Sequence, residues 1–322
     1  MYSLRDYGGM IGDDVRILAY AAALEEAVEP GMTVLDLGAG TGIFAMMACR
    51  FGAARVHAIE TSEAAVITGR ELAERNRIAD RIEWHAGSSR EVELVDRADL
   101  MVADLRGTLP FLGDSVETVI DARERLLMPG AKLIPARDRC VLALAESPRL
   151  EREATRPWGD NDFGFDWEPM RHRLVNQWAR VRIEPGERIS EPRPWCAIDY
   201  STVTASRADG EVTLLANRAG TVHGFFLWFD AELTGTIGYS SGPDEPSARI
   251  YRVAFFPFPE GKTIKSGEAV SIRLSALPLG DQKIWRWSTK IAGESFEQST
   301  FSGVPLSRES LGKARDGGQD ST

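Results

Sequence analysis

The residues best suited to chemistry open with Val34-Leu35-Asp36-Leu37-Gly38-Ala39-Gly40-Thr41-Gly42. A short apolar run enters a glycine-rich turn, where positive φ is tolerated and a ligand can approach the backbone closely. The spacing is GxGxG, not the GxGxxG of the dinucleotide fingerprint, whose helix N-terminus is aimed at a pyrophosphate. Asp36, just before the turn, would repel a pyrophosphate but suits a ligand carrying an ammonium or sulfonium group. Glu60 ends the next apolar run, where a carboxylate can accept hydrogen bonds from both ribose hydroxyls. The combination favours an adenosine ligand without phosphates, and S-adenosylmethionine meets that description. Taken singly, a glycine turn that only closes a strand–helix unit and a solvated glutamate are the plainer readings; together they point to a cofactor site.

These groups need a frame. Thr33–Leu37, Val56–Glu60, Ile82–His85 and Leu100–Asp104 read as strands, with Ile43–Arg50 and Ala64–Arg77 as helices between the first three. Such alternation implies a parallel sheet with crossover helices. Near Pro135 the pattern changes. Ala197–Ala205, Glu211–Leu215, Val222–Leu233 and Val270–Leu274 are short alternating runs bounded by Gly and Pro, as in antiparallel strands of a barrel or sandwich. The expected division is 1–136, then 137–305 with an Arg-rich arm at about 169–194, then a polar tail at 306–322.

Composition narrows the function classes. The chain has 322 residues and a formal net charge of −10, which argues against a duplex-DNA binder. Its apolar runs are shorter than the ~20 residues of a membrane-spanning helix. Cys49, Cys140 and Cys196 are far apart and form no CxxC, so neither a zinc knuckle nor a disulfide framework is expected and a reducing cytoplasm is the simpler setting. His57, His85, His172 and His223 show no metal-ligand spacing with a Cys or Asp, so no metal site is expected. His223 reads as a packed strand residue, and the tryptophans as barrel core and arm contacts.

The stretch VLDLGAGTGIFAMMACRFGAARVHAIETS is similar to the cofactor motif of the protein arginine methyltransferases. Asp14-Val15-Arg16-Ile17-Leu18-Ala19-Tyr20 resembles the family segment before the first strand, and Phe163-Gly164-Phe165-Asp166 the stretch before its dimerisation arm. Ile198–Val203, Val222–Phe225, Trp228–Asp230 and Ser240–Pro243 resemble its barrel strands and the turn near the substrate. The resemblance implies a Rossmann-like α/β domain that binds S-adenosyl-L-methionine, followed by an antiparallel β-barrel. It also implies a head-to-tail homodimer held by the arm. Arg16 falls where the family grips the cofactor carboxylate and Met10 where it has a methionine near the transferred methyl. Thr61, Gly87, Ser88 and Ser89 join Asp36, Gly38, Gly40, Gly42 and Glu60 as cofactor candidates.

The departures fall on the acceptor side. The family holds its target guanidinium with two glutamates on one loop. Here Asp104 stands in the first position and Gly113 in the second, with Asp114 one step along. The family's Thr-His-Trp loop maps to Ala248-Arg249-Ile250. A guanidinium stays charged, so making one of its nitrogens nucleophilic takes fixed carboxylates and precise alignment. Asp104 and Asp114 are the catalytic candidates. Arg249, if it faces the pocket, would repel a cation and suit an anionic substrate group; otherwise it is an exposed arginine, or one paired with Asp104 or Asp114.

The leading reading is a methyltransferase acting on an arginine or another nitrogen nucleophile, in a peptide, protein or small molecule. The alternatives are transfer to the nitrogen or oxygen of a metabolite or modified peptide, and a non-catalytic scaffold that keeps the cofactor site. A nicotinamide-dependent oxidoreductase conflicts with the GxGxG spacing. Neither nucleic acid nor a membrane is an expected partner.

Overall fold

The computed structural model describes residues 3–155, 163–279 and 282–303. Two helices come first, α1 (Leu4–Ile11) and α2 (Asp14–Ala27). Ser3 and Asp6 close a reciprocal capping box on α1, and Asp13 caps α2 by accepting from the Arg16 N–H. The α/β part follows as β1 (Thr33–Leu37), α3 (Ile43–Arg50), β2 (Arg55–Glu60), α4 (Glu63–Arg75), β3 (Ile82–Ala86), β4 (Ala98–Ala103), α5 (Ser115–Arg125) and β5 (Leu127–Ile134). All five strands are parallel, in the order β3-β2-β1-β4-β5. The order reverses at β1, so the glycine turn after β1 and the loop after β4 open side by side. Open α/β sheets bind their ligands at that switch point.

The chain then builds β6 (Arg137–Ala145), α6 (Pro148–Thr155), α7 (Glu168–Val175), β7 (Ala179–Val181), β8 (Arg193–Asp199), β9 (Ala208–Leu215), β10 (Gly220–Glu232) and β11 (Gly238–Ser240). It finishes with β12 (Val253–Ile264), β13 (Ala269–Leu279), β14 (Gln282–Ile291), β15 (Glu294–Ser299) and α8 (Thr300–Gly303). One antiparallel sheet runs β7-β12-β10-β6-β8 with β11 against β10, and the other runs β15-β14-β13-β9. This is a Rossmann-like core followed by antiparallel sheets. Phe225, Phe256, Trp285 and Trp287 are buried in one continuous cluster with the apolar residues of the parallel sheet.

Three sequence expectations shift in detail. The second helix of the α/β part stops at Arg75, and Arg77 takes a positive φ of 59°. The strand expected over Ala197–Ala205 ends at Asp199, whose carboxylate accepts from the Ser201 N–H and hydroxyl and turns the chain. Within the span expected as an arm, β7 pairs with β12 of its own chain. The tail expected at 306–322 lies outside the described residues.

Candidate active site

The turn after β1 is shaped by its glycines and by backbone bonds to β2. Gly38, Gly40 and Gly42 have φ of 76°, 55° and 82°. The N–H groups of Gly38 and Ala39 both donate to the Ile59 carbonyl, at 2.9 and 3.0 Å. A Cβ on Gly40 would lie 2.6 Å from the Tyr7 ring, and one on Gly42 would lie 2.6 Å from Trp84. Helix α1 therefore lies across the turn, with Tyr7 against Gly40.

Glu60, at the end of β2, is buried with one oxygen on each side of a bridge. Its Oε2 accepts from the Gly40 N–H at 2.8 Å, and its Oε1 accepts from the Ser62 N–H at 2.8 Å and the Thr61 hydroxyl at 3.3 Å. The carboxylate thus locks the glycine turn to the β2 terminus and still lines the cleft.

Asp36 does something different from what its sequence position suggests. It is fully buried and absent from the cleft wall. Its Oδ2 accepts from the Ala45 N–H in α3 at 2.8 Å, and its Oδ1 has no partner among the described residues. Burial pushes its pKa up to about 7 against the Ala45 bond, with the Glu60 charge adding to the rise. A carboxylate packed beneath the turn holds the turn in shape and faces no ligand.

The cleft itself is a cavity of about 830 Å³ between α1, the glycine turn and the loop after β4. Met10, Arg16, Gly38, Gly40, Glu60, Thr61, Gly87, Ser89 and Asp104 line it together. Gly42 and Ser88 do not reach it: Gly42 caps α3 and the Ser88 hydroxyl accepts from the Arg90 N–H.

Where the cleft meets the loop after β4, Asp104 is saturated. Arg16 donates to Asp104 Oδ2 through Nε at 2.6 Å, and the Tyr251 hydroxyl donates to the same oxygen at 2.6 Å. Arg106 reaches Oδ1 through Nε at 3.3 Å and Nη2 at 3.2 Å. Arg106 also donates to Tyr20, to Tyr239 at 2.8 Å and to Asp138 at 2.7 Å. Tyr200 donates to the other Asp138 oxygen at 2.7 Å. Burial alone would raise the Asp104 pKa, but the Arg16 and Arg106 charges and the Tyr251 bond reverse it and hold the pKa below the usual carboxylate value. Two guanidinium groups and two carboxylates share this buried network, so their formal charges cancel.

Two predicted site residues are not brought to the cleft. Asp114 is mostly exposed and pairs with Arg90 at 3.1 Å, because the glycine at 113 turns the chain outward with φ of 60°. Arg249 is three-quarters exposed and pairs with Glu245 at 2.8 Å. Its neighbours Ile250 and Tyr251 face the cleft instead. Sequence reasoning gave no role to Tyr20, Arg106, Asp138, Tyr239 or Tyr251. The signal for Arg106 was present, since a cation two residues beyond Asp104 on a non-helical loop can fold back onto it. The tyrosines gave none, being up to 235 residues from their partner.

Residues 20–135 match the family described as ribosomal protein L11 methyltransferase, and residues 142–287 match the arginine methyltransferase oligomerization subdomain. Protein arginine N-methyltransferase 1 of Schizosaccharomyces pombe is 29% identical over 84% of this chain and 81% of its own length. Both halves of the chain are thus similar to proteins of the arginine methyltransferase family. A probable histone-arginine methyltransferase CARM1 of rice is 27% identical over 90% of this chain, which spans 58% of that protein. A solved Trypanosoma brucei PRMT1 enzyme–prozyme heterotetrameric complex with AdoHcy aligns with a TM-score of 0.84, covering 91% of this chain and 96% of that one at 22% identity. That likeness establishes the shared fold. This protein is a methyltransferase whose Asp104 is enclosed by Arg16, Arg106 and Tyr251. Among the described residues no helix is long and apolar enough to cross a membrane.

Proposed function

We propose that this methyltransferase uses S-adenosylmethionine bound in the cleft, with its acceptor nitrogen presented beside Asp104. The carrying observation is that the glycine turn, Glu60, Arg16 and Asp104 line one cavity. The donor set fits the cofactor: Glu60 offers acceptor oxygens to a ribose, Arg16 offers a cation to a carboxylate, and no phosphate-binding lysine or helix N-terminus is required. When bound, the cofactor supplies an electrophilic methyl group.

The protein's part is binding and orientation. Arg16 is shared between a cofactor carboxylate and Asp104, so occupying Arg16 loosens the clamp on Asp104 Oδ2. Asp104 then accepts a hydrogen bond from the acceptor nitrogen and aligns it for in-line attack. The names of the relatives support arginine as the acceptor. A second reading, favoured by the cancelled charges of Arg16, Arg106, Asp104 and Asp138, is a less cationic nitrogen or oxygen nucleophile on a small molecule or modified peptide. A third guanidinium would find no surplus carboxylate beside Asp104.

We further propose a homodimer formed through the arm at about 169–194, which begins with α7. Phe163 and Phe165, 78% and 65% exposed, stand immediately ahead of that helix and offer apolar surface to a partner. The free cysteines support a reducing cytoplasmic setting.

Incubation with methyl-labelled S-adenosylmethionine and a lysate split into macromolecules and metabolites tests the acceptor. Methylarginine in hydrolysed protein supports the first reading, and label confined to a small molecule supports the second. No label from either fraction, with no cofactor binding by calorimetry, overturns both.

A further inference from the structure

Outside the cleft, three ligand-type side chains meet at the edge of the parallel sheet. His57 on β2 is in register with Glu83 on β3, and His85 lies two residues beyond Glu83 on the same face. His57 Nδ1 is 3.2 Å from His85 Nε2 and 3.5 Å from Glu83 Oε2. His85 Nε2 is 3.8 Å from Glu83 Oε1. One donor atom from each residue falls within 4.8 Å of the other two. Histidine and carboxylate ligands bind zinc at about 2.0–2.2 Å, which in a tetrahedron puts ligand atoms about 3.3 Å apart. The two separations from His57 Nδ1, 3.2 and 3.5 Å, are close to edges of such a tetrahedron, and the other Glu83 oxygen lies 3.8 Å from His85.

The cluster brings two imidazole nitrogens and a carboxylate oxygen within 4.8 Å of one another. We propose that His57, Glu83 and His85 bind one Zn²⁺, with water in the fourth position. His57 forms the buried floor at 3% side-chain exposure, and Glu83, at 55%, leaves the outer side open to solvent. The neighbouring charges of Arg55 and Asp96 pair with each other and offset one another's effect on a cation. Two nitrogens and one oxygen without thiolate suit a borderline ion such as zinc. Sequence spacing hid the site because its ligands come from two strands separated by α4.

The ion would tie the edge strand β3 to β2. β2 ends in Glu60 and β3 leads into Gly87 and Ser89, all on the cleft wall. Zinc at this point therefore stiffens the wall from behind without touching it.

The test uses the full chain, stripped with a chelator and titrated with Zn²⁺ by calorimetry. One ion per chain with a rise in Tm is expected. Glu83→Gln and His85→Ala should each weaken binding about tenfold or more, and Glu83 is exposed enough for its variant to fold. Co²⁺ in place of Zn²⁺ should give the intense visible bands of a tetrahedral site without thiolate charge-transfer absorption. Absence of stoichiometric binding, unchanged affinity in both variants, or thiolate bands would each overturn the proposal.

Discussion

Arg16 places two nitrogens on a single oxygen of Asp104, Nε at 2.6 Å and Nη2 at 2.5 Å from Oδ2. Such a contact is stronger than an ordinary neutral hydrogen bond, and here both partners are buried. In the proposed mechanism it couples the two ligands, because the cation expected to meet the cofactor also restrains the carboxylate expected to meet the acceptor.

Asp104→Asn should therefore separate the two roles. Methyl transfer should fall by about a hundredfold or more, since a charged acceptor aimed at the reacting nitrogen is lost. Cofactor affinity should hold or improve, because Arg16 is released. Calorimetry beside steady-state kinetics reads both; a parallel loss of cofactor binding would contradict the shared-arginine arrangement.

Arg16→Ala should weaken cofactor binding at least tenfold and destabilise the fold by about 3 kcal/mol, the scale for removing one partner of a buried ion pair. Denaturant unfolding and calorimetry measure the two effects. Wild-type affinity in a folded variant would remove Arg16 from the cofactor site.

Asp36 gives a pH prediction. Its pKa is raised to about 7, so the folded state binds more protons than the unfolded state between the ordinary carboxylate pKa of 3.8 and 7. Stability from this group is present at low pH and is lost as pH rises through that window, levelling off above it. Asp36→Asn, which keeps an acceptor for the Ala45 N–H, should be more stable than the parent at pH 8 and show little difference at pH 4. A Tm difference independent of pH would show that Asp36 is not desolvated in this way.

Gly69, inside α4, would ordinarily gain about 1 kcal/mol from alanine. A Cβ there would sit 2.2 Å from Trp84 Cη2. Gly69→Ala should instead cost about 1–3 kcal/mol through overpacking, and Gly69→Ala with Trp84→Phe should recover part of it. Chemical denaturation decides the sign.

Asp114→Asn and Arg249→Ala should each leave kcat/KM within about twofold of the parent, the scale of a surface substitution. Both side chains pair at the surface outside the cleft. A large loss for either, measured on the acceptor found above, would return it to the site.

The parallel strands and the glycine turn were readable because their signals are local: apolar runs of strand length, three glycines and a carboxylate at the next strand end. Glu60 was read from its place at a strand end, and Arg16 and Asp104 from the resemblance; all three line one cleft. Asp36 misled because sequence gives its position and not the direction of its carboxylate, which Ala45 settles. Arg249 and Ile250 are adjacent, yet only Ile250 lines the cleft while Arg249 points to solvent and pairs with Glu245. The Tyr20, Tyr239 and Tyr251 hydroxyls converge from distant segments and leave no periodic trace.

Arg106 stands on the loop after β4, while Asp138 and Tyr200 belong to the second half of the chain. Asp104 is thus braced across the seam between the two architectures. A cut at residue 136 would take away Asp138 and leave the buried Arg106 sharing Asp104 with Arg16 as its carboxylate partner. Asp138, Tyr239 and Tyr251 thus make the second half of the chain a wall of the proposed site, whatever it also does for assembly.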